Sequence, residues 1–473
     1  MKRLFSYFLI IISCFTVSCF SVDAKNLTIA TEATFPPYEY YSNGEIVGVD
    51  IDIMKRVAEE LNEKLIVKDV TFDSIISEVK TGKSDVGASG ISYTAERAEQ
   101  VDFSDSYIDS NQVLVVRTDS LISNIDDLNG LSVAVQLGTV ADSYLTDNYP
   151  GIKVVREKKF LAAIQDVKDG KVDAVLMDYV PATQFQGSEL KILETPVMKD
   201  SYSFAVAKGN TELLEVINKV ISEMKETGEI DKILIKHLKN QNNMDETTTN
   251  SNSFLKMFED GRFIFILEGL GNTLLIAFFA VIIGIILGTL IALIRSFHDN
   301  TGKLIILNRI VKLYTDIIRG TPSTLQLMII YYIIFANVDV NIVLVGVIAF
   351  GINSSAYVAE IIRGGINSID KGQMEAGYAL GLNFTQIMKY IILKPAIKNS
   401  LPALGNEFIT LIKETSIGAY IGIVELTKAS DIIASRTYNY FLPLIFVALI
   451  YLIITFILSR LVSAMEKRLK VWF

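Results

Sequence analysis

The feature that most constrains this chain is a stretch of 26 residues without a charged side chain, residues 269–294. A helix of this length spans the hydrocarbon layer of a membrane, which is roughly 30 Å thick. Three further uncharged stretches follow at residues 320–338, 342–359 and 437–459. Residues 254–473 are therefore expected to form an all-α membrane domain. A single globular enzyme, a coiled coil and a disordered chain are disfavoured.

The membrane domain is predicted to consist of five transmembrane helices. The second starts near Leu304 and bends at residues 319–322, and a fifth, weaker span lies within residues 399–424. The exported front domain places the amino end outside, so five crossings place the carboxyl end in the cytoplasm. Lysine and arginine in the predicted inner segments agree with this orientation. Charged side chains inside spans either line a path or pair between helices, and both interpretations stay open for four of them: Glu360, Glu407, Lys413 and Glu414.

The front half of the chain has a different character. Residues 1–253 carry a net charge of −14 and residues 254–473 carry +5. The negatively charged front half is therefore not expected to bind the phosphate backbone of nucleic acid. Within residues 25–240, strand-like and helix-like patterns alternate, which predicts an α/β fold with mainly parallel sheets. The pattern Lys-x-Gly-Lys-x-Asp occurs at residues 80–85 and 168–173. It indicates either two similar lobes or a chance repeat of a common helix–glycine–strand corner.

Two segments flank the α/β domain. Residues 1–24 combine a basic start, an apolar stretch and a small residue at the end, which is the pattern of a secretory signal. An uncleaved first span and a lipid-anchored Cys19 remain alternatives. Both cysteines, Cys14 and Cys19, lie in this signal, so no disulfide is expected in the mature chain. Residues 241–253 are almost entirely polar and predict a flexible linker to the membrane domain.

Polar residues follow two strand-like runs of the α/β domain, and these are Ser89, Gly90, Ser92 and Asp178. Ligands of open α/β sheets bind at the carboxyl ends of strands, so two lobes facing each other there would form a cleft. Arg97 suits a ligand carboxylate, because a guanidinium donates two parallel hydrogen bonds. Asp178 suits an ammonium, and a free amino acid carries both groups. Phe35 and Phe72 could enclose its side chain, although a single phenylalanine more often belongs to a core.

Motifs at residues 31–38, 48–52, 89–97 and 101–104 occur in order through this domain. Together they resemble the polar amino-acid binding proteins of ABC importers. The resemblance implies a two-lobed periplasmic-binding-protein type II domain, whose chain crosses between the lobes twice. The crossings are expected near residues 110–113 and 198–201.

The same resemblance assigns roles to individual residues. It implies that Arg97 and Asp178 clamp the main-chain groups of a polar amino acid. It also implies a set of residues that line the cleft, namely Glu32, Phe35, Phe72, Gly90, Ser92 and Thr139. Glu32 departs from the family, since many members carry Asp there and the position often contacts the ligand side chain. The preferred amino acid therefore stays open.

The loop between the third and fourth spans, residues 363–382, closely resembles the EAA loop of ABC importer permeases. The resemblance implies a short cytosolic helix that docks into an ATP-hydrolysing subunit, with two such subunits serving a homodimer of this chain. The residues that carry the expected coupling are Glu375, Ala376, Gly377 and Gly381. Gly377 replaces the usual Ala, and residues 394–396 differ from the common Leu-Pro-Gln, so the docking surface suits its own partner.

These features predict a multi-pass protein of the bacterial cell membrane that imports polar amino acids. The sequence contains no complete G-x-x-x-x-G-K-[ST] loop, so ATP with Mg²⁺ is expected in the partner subunit and no cofactor in this chain. His237 and His298 lie on opposite sides of the predicted membrane, so no metal site is expected. A ligand-gated channel remains an alternative, but its pore would interrupt the binding domain. An enzyme on the same two-lobed scaffold would not need the loop at 363–382.

Overall fold

A computed structural model of the chain describes residues 26–42, 44–246, 261–336, 338, 340–437 and 439–471. The predicted signal with both cysteines lies outside these residues, and so do residues 247–253 of the predicted linker. Residues 241–246 are helical rather than a tether, because the helix Glu229–Glu246 continues through them. Its first turn is acidic, which suits the positive end of a helix dipole, and it contains neither proline nor glycine.

The first lobe is built on a five-stranded sheet. Its strands in sheet order are β5 (Lys64–Asp69), β1 (Asn26–Thr31), β6 (Val86–Gly87), β14 (Ala205–Ala207) and β7 (Val101–Phe103), and a small sheet of β2 (Thr34–Phe35), β3 (Glu39–Ser42) and β4 (Glu45–Val47) lies beside it. Strand β1 is parallel to β5 and β6, whereas β14 is antiparallel to its neighbours. Helix α1 (Val49–Leu61) buries Ile51, Met54 and Ala58, because residues three and four apart share one helical face.

The second lobe holds a six-stranded sheet. Its strands in sheet order are β10 (Lys153–Glu157), β9 (Ser132–Gln136), β11 (Ala174–Asp178), β8 (Ile108–Arg117) and β12 (Leu190–Ile192), and β13 (Met198–Tyr202) also pairs with β8. The antiparallel pair of β8 and β13 lies where the chain passes between the lobes, with Ile108 opposite Tyr202. The two predicted crossings fall within these two strands.

Helices connect the strands of both lobes. They are α2 (Ile75–Lys80), α3 (Ala95–Ala98), α4 (Val140–Asn148), α5 (Phe160–Lys168), α6 (Tyr179–Ala182), α7 (Thr211–Glu226) and α8 (Glu229–Glu246), with 3₁₀ turns at Phe72–Ser74, Ile125–Leu128 and Thr183–Phe185. Gly82 and Gly170 follow α2 and α5 with φ of +67° and +70°. The left-handed glycine predicted at each repeated corner is therefore confirmed, and each lobe contains one such corner.

The membrane domain is helical. Its helices are α9 (Phe263–Thr301), α10 (Ile305–Gly320), α11 (Ser323–Ile329, continued as π-helix over Ile330–Ile334), α12 (Ile342–Asn367), α13 (Lys371–Ala379), α14 (Phe384–Ile387, then π-helix over Met388–Ile392), α15 (Leu393–Glu414, then 3₁₀ over Thr415–Ile421), α16 (Leu426–Thr437) and α17 (Phe441–Val471). Gly284 and Gly288 of α9 allow α12 to pack closely, since a Cβ on either would lie within 2.8 Å of Ser354 or Ser355 atoms.

The number of apolar spans differs from the prediction. Among the described residues, α9, α12 and α17 are long and apolar enough to cross a membrane, and Ile305–Gly320 with Ser323–Ile334 forms a fourth candidate bent by 111°. The bend lies at Pro322, as predicted, because proline favours an extended residue before it. The predicted fifth span, within residues 399–424, is not among these candidates and corresponds to the end of α15 and the 3₁₀ turn that follows it.

The binding domain contacts the membrane domain through charged side chains. Nζ of Lys428 on α16 lies 2.9 Å from the carboxylate of Asp69 at the end of β5, and both side chains are buried. Nζ of Lys158 lies 3.8 Å from the ring centre of Tyr420, within the 3₁₀ turn that follows α15. Lys83 donates a hydrogen bond to the backbone oxygen of Val338 at 3.2 Å. Both lobes therefore touch the membrane domain.

Candidate functional site

The residues predicted to bind a ligand converge on one cavity between the lobes. Eight of the nine line it, namely Glu32, Phe35, Phe72, Ser89, Gly90, Ser92, Thr139 and Asp178. Glu32, Asp178 and Thr139 come at or just after the carboxyl ends of β1, β11 and β9. This placement follows from the rule that ligands of α/β sheets collect at that edge.

Arg97, the ninth predicted residue, lies at the rim of the cleft and joins the lobes. Nη1 donates to the backbone oxygen of Ser92 at 2.6 Å, and Nη2 donates to that of Gly138 in the second lobe at 2.7 Å. The guanidinium also lies 5.6 Å from the ring centre of Phe72. Burial lowers the pKa of Arg97 from its ordinary value, but a guanidinium titrates far above physiological pH and keeps its charge.

Asp178 is the buried anion on the opposite lobe. Its Oδ1 accepts hydrogen bonds from Oγ of Ser110 at 2.9 Å and from Nε2 of Gln112 at 2.8 Å. Burial raises the pKa of Asp178 to about 6, against the hydrogen bonds that favour the carboxylate. Oε1 of Gln112 is buried and accepts no hydrogen bond within the described part of the chain. Asp178 and Gln112 together offer acceptors for a buried ammonium.

Each carboxylate oxygen of Glu32 contacts a side chain of the second lobe. Nζ of Lys159 lies 2.7 Å from Oε1, and Nε2 of Gln136 donates to Oε2 at 2.6 Å. Glu32 and Lys159 are both buried. Carboxylates around Lys159 raise its pKa, although burial alone would lower it. Sequence reasoning missed Lys159 and Gln136; only Gln136, at the end of β9, carries the strand-end signal that found the other residues.

Aromatic rings form one wall of the cavity. Phe35 stacks on Phe160 at a centroid distance of 5.2 Å, and Phe72 also lines the cavity. Gly90 has φ of +51°, and a Cβ there would lie 3.0 Å from the Phe35 ring. Only glycine fits this position without strain, because the left-handed region disfavours a side chain and the ring leaves no room.

Two further acids hold residues of the cavity wall in place: Glu39, which itself lines the cavity, and Asp50. Oδ2 of Asp50 accepts from the backbone N–H of Gly90 at 2.9 Å, and Oδ1 accepts from the Tyr107 hydroxyl. Burial raises the pKa of Asp50 to about 7. Ser89 donates to Oε1 of Glu39 at 2.8 Å, and burial raises the pKa of Glu39 well above its ordinary value. Sequence reasoning missed Glu39, whose position on a short strand gives no site signal.

The loop expected to couple to a partner folds as helix α13. Glu375 and Ala376 are exposed, and Gly381 closes the helix with φ of +77°. Gly377 faces inward, and a Cβ there would lie 2.7 Å from the side chain of Ile387. The glycine at this position is therefore explained by packing of α13 on α14.

Of the four charged residues predicted inside spans, Glu360 and Glu407 accept side-chain hydrogen bonds from other described residues. Glu360 accepts two hydrogen bonds from Arg363 and one from Arg295, so pairing between and within helices accounts for it. Glu407 accepts from Oγ of Ser354 at 2.8 Å. Such pairing offsets the cost of placing a charge in an apolar layer.

Two family matches cover the two halves of the chain, which also differ in the sign of their net charge. Residues 27–240 match the bacterial extracellular solute-binding proteins, family 3. Residues 280–471 match the binding-protein-dependent transport system inner membrane component.

Individual proteins match each half. The putative glutamine transport system permease protein GlnP of Rickettsia typhi is 42% identical over 212 residues, 44% of this chain and 94% of that protein. The arginine transport system permease protein ArtQ of Bacillus subtilis is 43% identical over 208 residues, 44% of this chain and 93% of that protein. A solved arginine-binding protein of T. maritima is 41% identical, with a TM-score of 0.43, over 45% of this chain and 95% of that one.

The two matches and the geometry of the cleft give one identity. A two-lobed α/β domain with a charged cleft precedes apolar helices that carry the permease match. The chain belongs to the amino-acid ABC transporter family, as a solute-binding domain fused to its inner-membrane permease domain.

Proposed function

We propose that the chain captures a polar amino acid between its two lobes outside the cell and passes it through a dimeric permease. The observation that carries the proposal is one cavity with a cation, Arg97, at its rim and an anion, Asp178, in its lining. Arg97 would bind the ligand carboxylate, with Ser92 and the N-terminus of α4 at Thr139. Asp178 and the unpartnered oxygen of Gln112 would bind the ammonium.

We propose further that separate ATPase subunits drive transport through α13. Glu375, Ala376, Tyr378 and Leu380 are exposed there, and Leu380 has 78% of its surface accessible. An apolar tip flanked by polar residues on a short exposed helix suits docking into a groove of another protein. Two copies of the ATPase, each holding ATP and Mg²⁺, would serve a homodimer.

The proposed arrangement also accounts for the outer face of the membrane domain. In the most apolar window of α17, only 11% of the residues are buried. Such a surface is stable against lipid tails or against the matching helix of a second copy. The binding domain would face outward and the carboxyl end inward, in agreement with the distribution of lysine and arginine.

The relatives narrow the candidates for the transported solute. The permeases from Rickettsia typhi and Bacillus subtilis are named for glutamine and arginine. Glutamine and arginine are therefore the first solutes to test in a ligand panel.

Isothermal titration of the full chain in nanodiscs with the twenty amino acids tests the capture step. We expect saturable binding of at least one polar amino acid, reduced at least about 100-fold by Asp178→Asn, since that change removes the ammonium's partner. Asp119→Asn, an exposed acid of the same lobe, serves as the control and should bind normally. Absence of binding by the folded wild-type chain would contradict the proposal.

ATPase coupling is tested with a complex assembled from this chain and its ATPase. Glu375→Lys should abolish ligand-stimulated ATP hydrolysis while ligand binding is retained, because the side chain lies on the docking helix. Asp299→Lys, an exposed acid near the end of α9, is the matched control and should leave stimulation intact. Equal stimulation in the Glu375→Lys complex and the wild type would refute the assigned docking surface.

A further inference from the structure

The ion pair between Glu32 and Lys159 bears on which amino acid the cleft accepts. Glu32 lines the cavity together with Phe35, Phe160 and Gln136. With Arg97 and Asp178 assigned to the main-chain groups, these residues are left to surround the side-chain end of a bound amino acid. An unpaired carboxylate at that end would favour a cationic side chain, since a buried charge needs a partner.

The Glu32 carboxylate is already partnered by the protein. Lys159 contacts one oxygen at 2.7 Å and Gln136 the other at 2.6 Å. The remaining charged side chains facing Lys159 are carboxylates too: Asp431 on α16, and Asp69, which itself pairs with Lys428. The ammonium therefore stays charged, and each oxygen of the Glu32 carboxylate already has a partner within the protein.

Lys159 lies where its positive charge needs an anion close by. Lys159 is the N-cap of α5, and its side chain is only 10% exposed. A buried ammonium at the positive end of a helix is unfavourable unless an anion offsets it. Glu32 supplies that anion from the opposite lobe, so the pair forms only when the lobes are together.

We propose that the cleft selects an amino acid with an uncharged polar side chain, such as the amide of glutamine, over arginine, lysine and glutamate. A cationic side chain would have to displace Lys159 from Glu32. An anionic one would face Glu32 with no unpaired cation among the described lining residues. An amide can donate to Glu32 without breaking its ion pair. This selectivity rests on the proposed function, because it concerns the same cleft.

The test compares glutamine, arginine and glutamate binding by titration of full-length variants in nanodiscs. The wild type should bind glutamine at least about 30-fold more tightly than arginine or glutamate. Lys159→Met leaves Glu32 unpaired and should shift the arginine-to-glutamine affinity ratio toward arginine by at least about tenfold. Lys158→Met, at the neighbouring lysine that contacts Tyr420, should leave the ratio unchanged.

Two further variants keep the test decisive if Lys159→Met fails to fold. Lys159→Arg preserves the pair, and the double variant Glu32→Gln with Lys159→Met removes both charges; each should still prefer glutamine. Preference for arginine or glutamate in the wild type, or in either of these variants, would overturn the selectivity. It would leave the proposed amino-acid capture standing, whereas binding of no amino acid by the wild type would refute the capture itself.

Discussion

Ligand affinity should decrease as the pH is lowered, because Asp178 becomes protonated. Burial raises the pKa of this carboxyl to about 6, against the hydrogen bonds from Ser110 and Gln112. The ligand ammonium binds the carboxylate and not the acid, so affinity must decline as pH falls through 6. The groups of the free zwitterion titrate outside this range and keep their charges.

The size of the effect follows from the fraction of Asp178 that is ionised. With a pKa of about 6, this fraction is about 0.99 at pH 8, about 0.5 at pH 6 and about 0.09 at pH 5. The apparent Kd should therefore rise about twofold by pH 6 and about tenfold by pH 5, which corresponds to about 1.4 kcal/mol. Isothermal titration of the full chain with its preferred amino acid at five pH values measures this directly.

A control separates Asp178 from its neighbours. Asp178→Asn should bind weakly and show a shallower pH dependence than the wild type. Any slope that remains reports the two neighbouring acids whose pKa burial raises, Asp50 to about 7 and Glu39 well above its ordinary value. The assignment of the ammonium to Asp178 would be refuted if the wild-type Kd changed by less than twofold between pH 8 and pH 5. It would also be refuted if the Kd of the wild type and of Asp178→Asn depended on pH equally.

Three further predictions concern packing and the domain contact. Asp69→Ala should lower the thermal unfolding midpoint of the full chain in detergent by several degrees, because it leaves the buried ammonium of Lys428 without its anion at a cost of about 3 kcal/mol. Asp69→Asn combined with Lys428→Met should lower the midpoint less, because neither charge remains. Gly288→Ala should destabilise the chain by about 1–3 kcal/mol in the same assay, because its Cβ would lie 2.7 Å from atoms of α12. Gly271→Ala, with open space among the described residues, should be neutral. Gly90→Ala should weaken amino-acid binding in titrations about tenfold or more, and wild-type affinity in that variant would contradict the need for glycine at φ of +51°.

Local chemistry explains which parts of the fold the sequence predicts. The glycines at 82 and 170 sit between a helical run and a strand, and both adopt the left-handed conformation that such a corner requires. The bend at Pro322 follows from the same kind of local rule. The strand-end rule and the family motifs bring nine predicted residues to one cleft, since parallel strands share an edge.

What the sequence does not reveal depends on contacts between distant residues. The pairing of Lys159 with Glu32 joins positions 127 residues apart on two lobes, and no local pattern marks it. Polarity alone suggested a linker through residues 241–246, whereas the helix Glu229–Glu246 extends through them because nothing in that stretch ends it. Hydropathy likewise cannot show whether the charged helix α15 crosses the bilayer or packs among other helices.

Uptake by reconstituted vesicles tests the central claim most directly. The full chain and its ATPase partner are placed in proteoliposomes with ATP inside, and accumulation of labelled amino acid supplied outside is measured. The account predicts concentrative uptake of a polar amino acid that requires ATP and is abolished by Asp178→Asn. Uptake that proceeds without ATP, or that persists undiminished in Asp178→Asn, would contradict it.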